Sequence, residues 1–221
     1  MIPRVPQLTD AVRAFCQRVV ADSAPVYLMI EPAAGAEVND CFPVVERQIQ
    51  TQGGELVLGW QIWEQPAVLI EAEFHGVWRS PDGELHDITP KPPIFDRILF
   101  VPDPSRVYDE RQVDNIREAL EDTPAVHEYI AAMAANFEFM NRGPRAHQHG
   151  ELRLSPSDKA EYGQIQMRIM RAAAGVFAGN APQESEVRAL VQQRARAAAG
   201  NKSQLRNERK RERQRRRAGR R

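Results

Sequence analysis

Two runs rich in β-branched and aromatic residues, Glu55–Trp63 and Val68–Arg79, stand either side of Gln65-Pro66 in this 221-residue chain. Their composition predicts a pair of antiparallel strands. The second run leads directly into Ser80-Pro81-Asp82-Gly83-Glu84. Proline there suits the second place of a type I turn, and glycine takes the place where φ must be positive. A hairpin loop of this kind pairs Ser80 with Glu84, which fixes the register of everything that follows. His75 then lies opposite Thr89 and Asp87 opposite Val77. Those positions share one face, so His75 and Asp87 are diagonal neighbours about 7–8 Å apart, within reach of a carboxylate–imidazole hydrogen bond. A slip of one residue would separate them onto opposite faces.

Just upstream, Asp40-Cys41-Phe42-Pro43 opens a helical pattern. Pro43 fits a first turn, where a missing N–H is harmless. Val44, Val45 and Ile49 give the helix an apolar side, and Gly53-Gly54 stop it. Cys41 therefore sits at the positive end of a helix dipole, which favours thiolate over thiol. Cysteine at a helix start, then histidine and aspartate on one hairpin face, is an arrangement that nucleophilic acyl transfer can use.

At these residues the chain resembles the transglutaminase-like branch of the papain-type cysteine hydrolases. That family has a nucleophilic Cys at a helix start, a glycine–aromatic strand, a His in an H-x-W strand, and an Asp followed closely by Thr. The matching residues are Asp40-Cys41, Gly59-Trp60, His75-Gly76-Val77-Trp78 and Asp87-Ile88-Thr89-Pro90. Two details depart from the pattern: Pro43 places Cys41 slightly ahead of the first turn, and the tryptophan stands one position late. The likeness covers about fifty residues. It implies a Cys41–His75–Asp87 triad acting on a peptide, isopeptide or other amide, by hydrolysis, deamidation or amine transfer, without a cofactor. The body is also similar to bacterial proteins of uncharacterised function that often end in a Cys-rich, zinc-binding SEC-C tail. This chain has no such cysteines, so that zinc site is absent.

Other readings of the same residues stand beside this one. Cys41 next to Phe42 could be a small buried hydrophobe, His75 a satisfied core histidine, and Asp87 a turn cap. The chain would then be a binding or adaptor module. Cys41, His75, His86 and Asp87 match no zinc signature in their spacing.

Around this stretch the pattern predicts an α+β domain over residues 1–180, with a small antiparallel sheet packed on the Cys41 helix and a helical section after it. Thr9 caps a first helix whose apolar side carries Val12, Phe15, Cys16 and Val19. Val26–Ile30 reads as a short buried strand, and Ile98–Val101 as an edge strand or one ending at Pro102. Spacing of Val113, Ile116 and Leu120 predicts a helix over 111–121. Thr123-Pro124 starts another, with Val126, Ile130, Met133, Phe137 and Met140 on its core side. His147 and His149 fall in a loop between helices, as candidate metal ligands or proton carriers. Asp158 and Glu161 suggest a capping box for a last helix.

Charge divides the chain. Eleven of the 30 basic residues but only two of the 30 acidic ones lie in 202–221, so that segment carries +9 and the rest −9. Residues 181–221 contain too little apolar surface to fold alone and read as a helical-to-disordered basic tail. Its arginines would contact nucleic-acid phosphates weakly and without reading sequence, or lie on the acidic body. Two cysteines make no disulfide framework, and no run approaches the apolar length of a membrane span. The expectation is a reducing, cytoplasmic setting.

Overall fold

A computed structural model describes residues 3–38, 40–92, 95–147 and 154–177. All of these lie in one compact unit, 1–181. The basic tail lies outside the described residues.

The architecture is α+β. The elements run α1 (Asp10–Val19), β1 (Val26–Met29), α2 (Cys41–Gln52), β2 (Glu55–Gln65), β3 (Leu69–Arg79), β4 (Leu85–His86), β5 (Arg97–Pro102), β6 (Ile116–Ala119), α3 (Pro124–Met140) and α4 (Pro156–Phe177). The sheet is antiparallel throughout, in the order β1-β5-β2-β3-β4, with β6 also on β3.

The β2–β3 hairpin organises it. All 11 residues of β2 pair with all 11 of β3, from Glu55 with Arg79 to Gln65 with Leu69. Alternation then sorts side chains onto two faces. One face carries Trp60, Ile62, Ile70 and Ala72, and packs beneath Val12, Phe15 and Cys16 of α1. Helix α2 covers Leu56 and Trp78 near the end of the hairpin through Val44 and Val45. The other face carries Trp63 and Val77 against Phe100, Ile98 and Leu28. Cys16 is fully buried among its apolar neighbours, and burial pushes its thiol up to about 11.

Beyond the turn, Ser80 N–H donates to the Glu84 carbonyl at 2.9 Å, and Trp78 pairs with His86. This is the register that the turn chemistry requires. The ladder is short because Asp87 leaves β3 and bridges to Ile30 in parallel fashion.

Several elements differ from the sequence reading. Residues 111–121 do not form a helix: 116–119 are β6, paired with the start of β3. A helix-like spacing over so few residues yields to an open strand edge that needs backbone partners. Strand β5 is interior, between β1 and β2, and ends at Pro102, after which the Asp103 N–H still donates to the Leu58 carbonyl at 2.9 Å. Strand β1 is the sheet's edge, so only Leu28 is buried in it. Helix α2 begins at Cys41 itself, which puts the cysteine within the first turn and Pro43 two residues on. Such a proline costs nothing, because the first turn's N–H groups have no intrahelical partner.

Thr123 caps α3 as expected, accepting from Val126 N–H. The cap of α4 is Ser155, whose hydroxyl accepts from Asp158 N–H. Asp158 instead pairs with Arg145 at 3.0 Å. Helices α3 and α4 lie antiparallel, joined by Arg168–Glu128, Gln166–Asn136 and the Phe139–Tyr162 ring pair. Val126 fastens them to Val68 and Leu69. No helix among the described residues is long and apolar enough to cross a membrane.

Candidate active site

Strand β3 has an interrupted outer edge. It pairs with β6 over Leu69–Ala72 and with β4 over Trp78–Arg79, and between them residues 73–77 have no strand partner on that side among the described residues. The start of α2 is seated there. Gly76 is what admits it: a Cβ at this position would come within 2.8 Å of Leu56 Cδ1 and 3.2 Å of the Phe42 ring. Its backbone N–H and the His75 ring both bear on the Cys41 sulfur and pull the thiol's pKa down.

On its other side His75 donates from Nε2 to Asp87 Oδ1 at 3.0 Å. His75 is 3% exposed and Asp87 0%. Thr89 N–H also donates to Asp87 Oδ1, at 3.2 Å. The Phe100 ring meets the imidazole edge-on, and Gly59 makes room for it. A Cβ on Gly59, the cross-strand partner of His75, would lie 2.5 Å from that ring and 2.3 Å from the Val101 carbonyl.

Sequence reasoning missed Lys91. Its side chain is 9% exposed, with Nζ 3.4 Å from Asp87 Oδ2 and 3.5 Å from His75 Nε2. Because Nε2 carries the proton shared with Asp87, the second contact is purely electrostatic. Asp87 Oδ2 has this ion pair but no hydrogen bond among the described residues. Four residues after Asp87 and next to Pro92, the lysine gave no sign of being turned inward.

The electrostatics follow. Burial pushes the Cys41 thiol up, but the hydrogen bond and charge of His75, the Gly76 N–H and Lys91 outweigh it and hold the thiol below its ordinary range. For His75, burial and Lys91 push down. Asp87's charge and hydrogen bond, with the Cys41 contact, prevail and raise the imidazole to about 9. Burial would raise Asp87, yet His75, Lys91 and the Thr89 N–H keep it low. The two shifts run in the directions that favour a thiolate–imidazolium pair beside a carboxylate, and such closely placed groups titrate as a unit.

Cys41 is partly exposed and opens into a groove of about 700 Å³. Phe42 and Tyr108, stacked with centroids 3.7 Å apart, flank it. Trp60 does not face this groove. It is buried on the α1 face, where its Nε1 donates to Asp103 Oδ2 at 2.9 Å. His86 is likewise outside the site: its Nδ1 lies 3.2 Å from Glu31 and its ring rests on Trp78. His147 closes a short 3-10 turn, 143–147, and His149 lies outside the described residues.

Lys91 has a testable role. Lys91→Met keeps the stem's volume and removes the charge. The midpoint of Cys41 alkylation should move to higher pH, since the ammonium helps hold the thiolate. His75 should titrate higher as well, because the same charge opposes its protonation. A lysine with a packing role alone would leave both midpoints where they are.

Compared with protein-family models, curated proteins and solved structures, the chain matches none.

Proposed function

We propose that this chain is a cysteine-dependent acyl-transfer enzyme, of transglutaminase-like or papain-like type, acting on a peptide, isopeptide or other amide. The observation that carries this is a partly exposed Cys41 at the start of α2 that lines one groove with His75, whose Nε2 is held at 3.0 Å by a fully buried Asp87.

The chemistry runs in two halves. The Cys41 thiolate attacks the carbonyl carbon, and the C=O electrons move onto oxygen. The backbone N–H of Cys41, first in α2 and without an intrahelical acceptor, would donate to that oxyanion. As the intermediate collapses, the C–N bond breaks and the His75 imidazolium passes its proton to the leaving amine. Water or a second amine then gives its proton to His75 while attacking the thioester, and the C–S bond breaks to restore the thiolate. Asp87 holds the ring and stabilises the imidazolium without taking the proton. Water gives hydrolysis or deamidation; an amine gives transfer.

The setting we propose is cytoplasmic, since both cysteines are free. The arginine-rich segment 202–221 is proposed to add weak, salt-sensitive contact with nucleic-acid phosphates.

Alkylation by iodoacetamide tests the site. Cys41 should react well below the ~8.5 of a free thiol, and Cys16 should stay unmodified in the folded protein. His75→Ala should shift Cys41 towards ordinary thiol behaviour. Turnover of an amide should fall as pH rises through about 9, where His75 loses the proton destined for the leaving amine. Equal labelling of the two cysteines would end the catalytic reading.

A further inference from the structure

The groove at Cys41 follows one face of β3, and His75, Glu73 and Glu71 succeed one another along its floor. Their charges are unevenly settled. Glu71 accepts from Asn115 Nδ2 at 3.0 Å and from Arg117 Nε at 3.3 Å, so it is neutralised within the protein. Lys91 is committed to Asp87. Glu73 is held by neutral groups: Gln61 Nε2 and Trp63 Nε1 both donate to its Oε2.

A second observation points the same way. Gln61 lines the groove, is only 4% exposed, and has a buried Oε1 with no hydrogen-bond partner among the described residues. Its Nε2 is turned to Glu73, so a carboxylate and an unused amide oxygen stand side by side. Buried acceptors are ordinarily satisfied, and this pair calls for a donor with positive charge. Met133, Phe137 and Met140 of α3 add apolar surface to the same groove, suited to an aliphatic stem. Arg111 also lines it, but is exposed, where solvent and salt screen it.

From this we infer that the site selects substrates bearing a cationic group, an ammonium or guanidinium, bound by Glu73 and Gln61 two residues along the strand from His75, about 7 Å away. This rests on the acyl-transfer reading and adds the substrate class to it. Lysine- or arginine-like side chains and alkyl amines have the required charge and stem.

Matched N-alkyl chloroacetamides ending in an ammonium, a neutral amide or a carboxylate provide the test. In each, the thiolate forms an S–C bond and chloride leaves with the C–Cl electrons. With the full chain, Cys41 should be alkylated roughly 10–100-fold faster by the ammonium probe than by the carboxylate probe, the size that a charge-assisted hydrogen bond supplies. Glu73→Gln should bring the ratio close to one, and high salt should shrink it in the wild type. Equal rates for all three probes in the wild type, or a preference for the carboxylate, would overturn the inference. So would a preference that survives Glu73→Gln, since the thiolate itself would then be the source. A neutral probe that reacts no faster at Cys41 than at Cys16 would remove the acyl-transfer reading, and this inference with it.

Discussion

Asp87→Asn should slow acylation of Cys41 by an activated amide or ester by a factor on the order of 10⁴, as the same change does in a serine-protease triad. The carboxamide cannot stabilise the imidazolium, so the His75 titration, raised to about 9 by Asp87, should fall. A cost in stability should accompany it. Asp87 is also the counter-ion of Lys91, whose side chain is 9% exposed. Breaking a buried pair from one side typically costs about 3–5 kcal/mol. Adding Lys91→Met to Asp87→Asn should therefore recover much of the stability and little of the rate. Asp82→Asn, in the exposed turn, should do neither. NMR titration of His75 and urea denaturation check both parts. An unmoved His75 titration would mean that Asp87 does not govern the ring.

Trp60→Ala should remove about 3–5 kcal/mol, the range for truncating a buried aromatic, against a typical domain stability of about 5–15 kcal/mol. The indole is fully buried, and its N–H is the donor to the largely buried Asp103. It also meets Phe74 edge-on, Phe74 touches Phe42, and Phe42 stacks on Tyr108. That chain of rings ends beside Cys41. The variant's alkylation rate should therefore fall together with its stability. A loss below about 1 kcal/mol in urea denaturation would contradict the packing described. Trp60→Phe keeps most of the ring and should recover much of the stability, leaving chiefly the loss of the Asp103 bond.

The hairpin was legible because its information is local. Ser80-Pro81-Asp82-Gly83-Glu84 sets one turn geometry, a period of two carries it along both strands, and His75 and Asp87 follow onto one face. Thr9 and Thr123 could be read as caps for the same reason, since each bonds within its own first turn. Cys41 at a helix start was also a local property of the residues from Asp40 to Gly53.

Tertiary structure decided the rest. Residues 116–119 have no strong preference of their own, and became a strand because β3 offered an unpaired edge. Whether 98–101 lay inside the sheet or at its margin depended on β1 and β2 arriving on either side. Trp60 turned to the α1 face, away from the groove, by the alternation of a strand whose orientation only the packed helices fix. Lys91 acquired its place from Asp87 and His75, which lie in separate elements. The sequence by itself determined which side chains could form the triad and on which face two of them lie. Only the fold brought the third to them, because the contact of α2 with β3 depends on the missing side chain of Gly76 and on the gap that β4 and β6 leave between them.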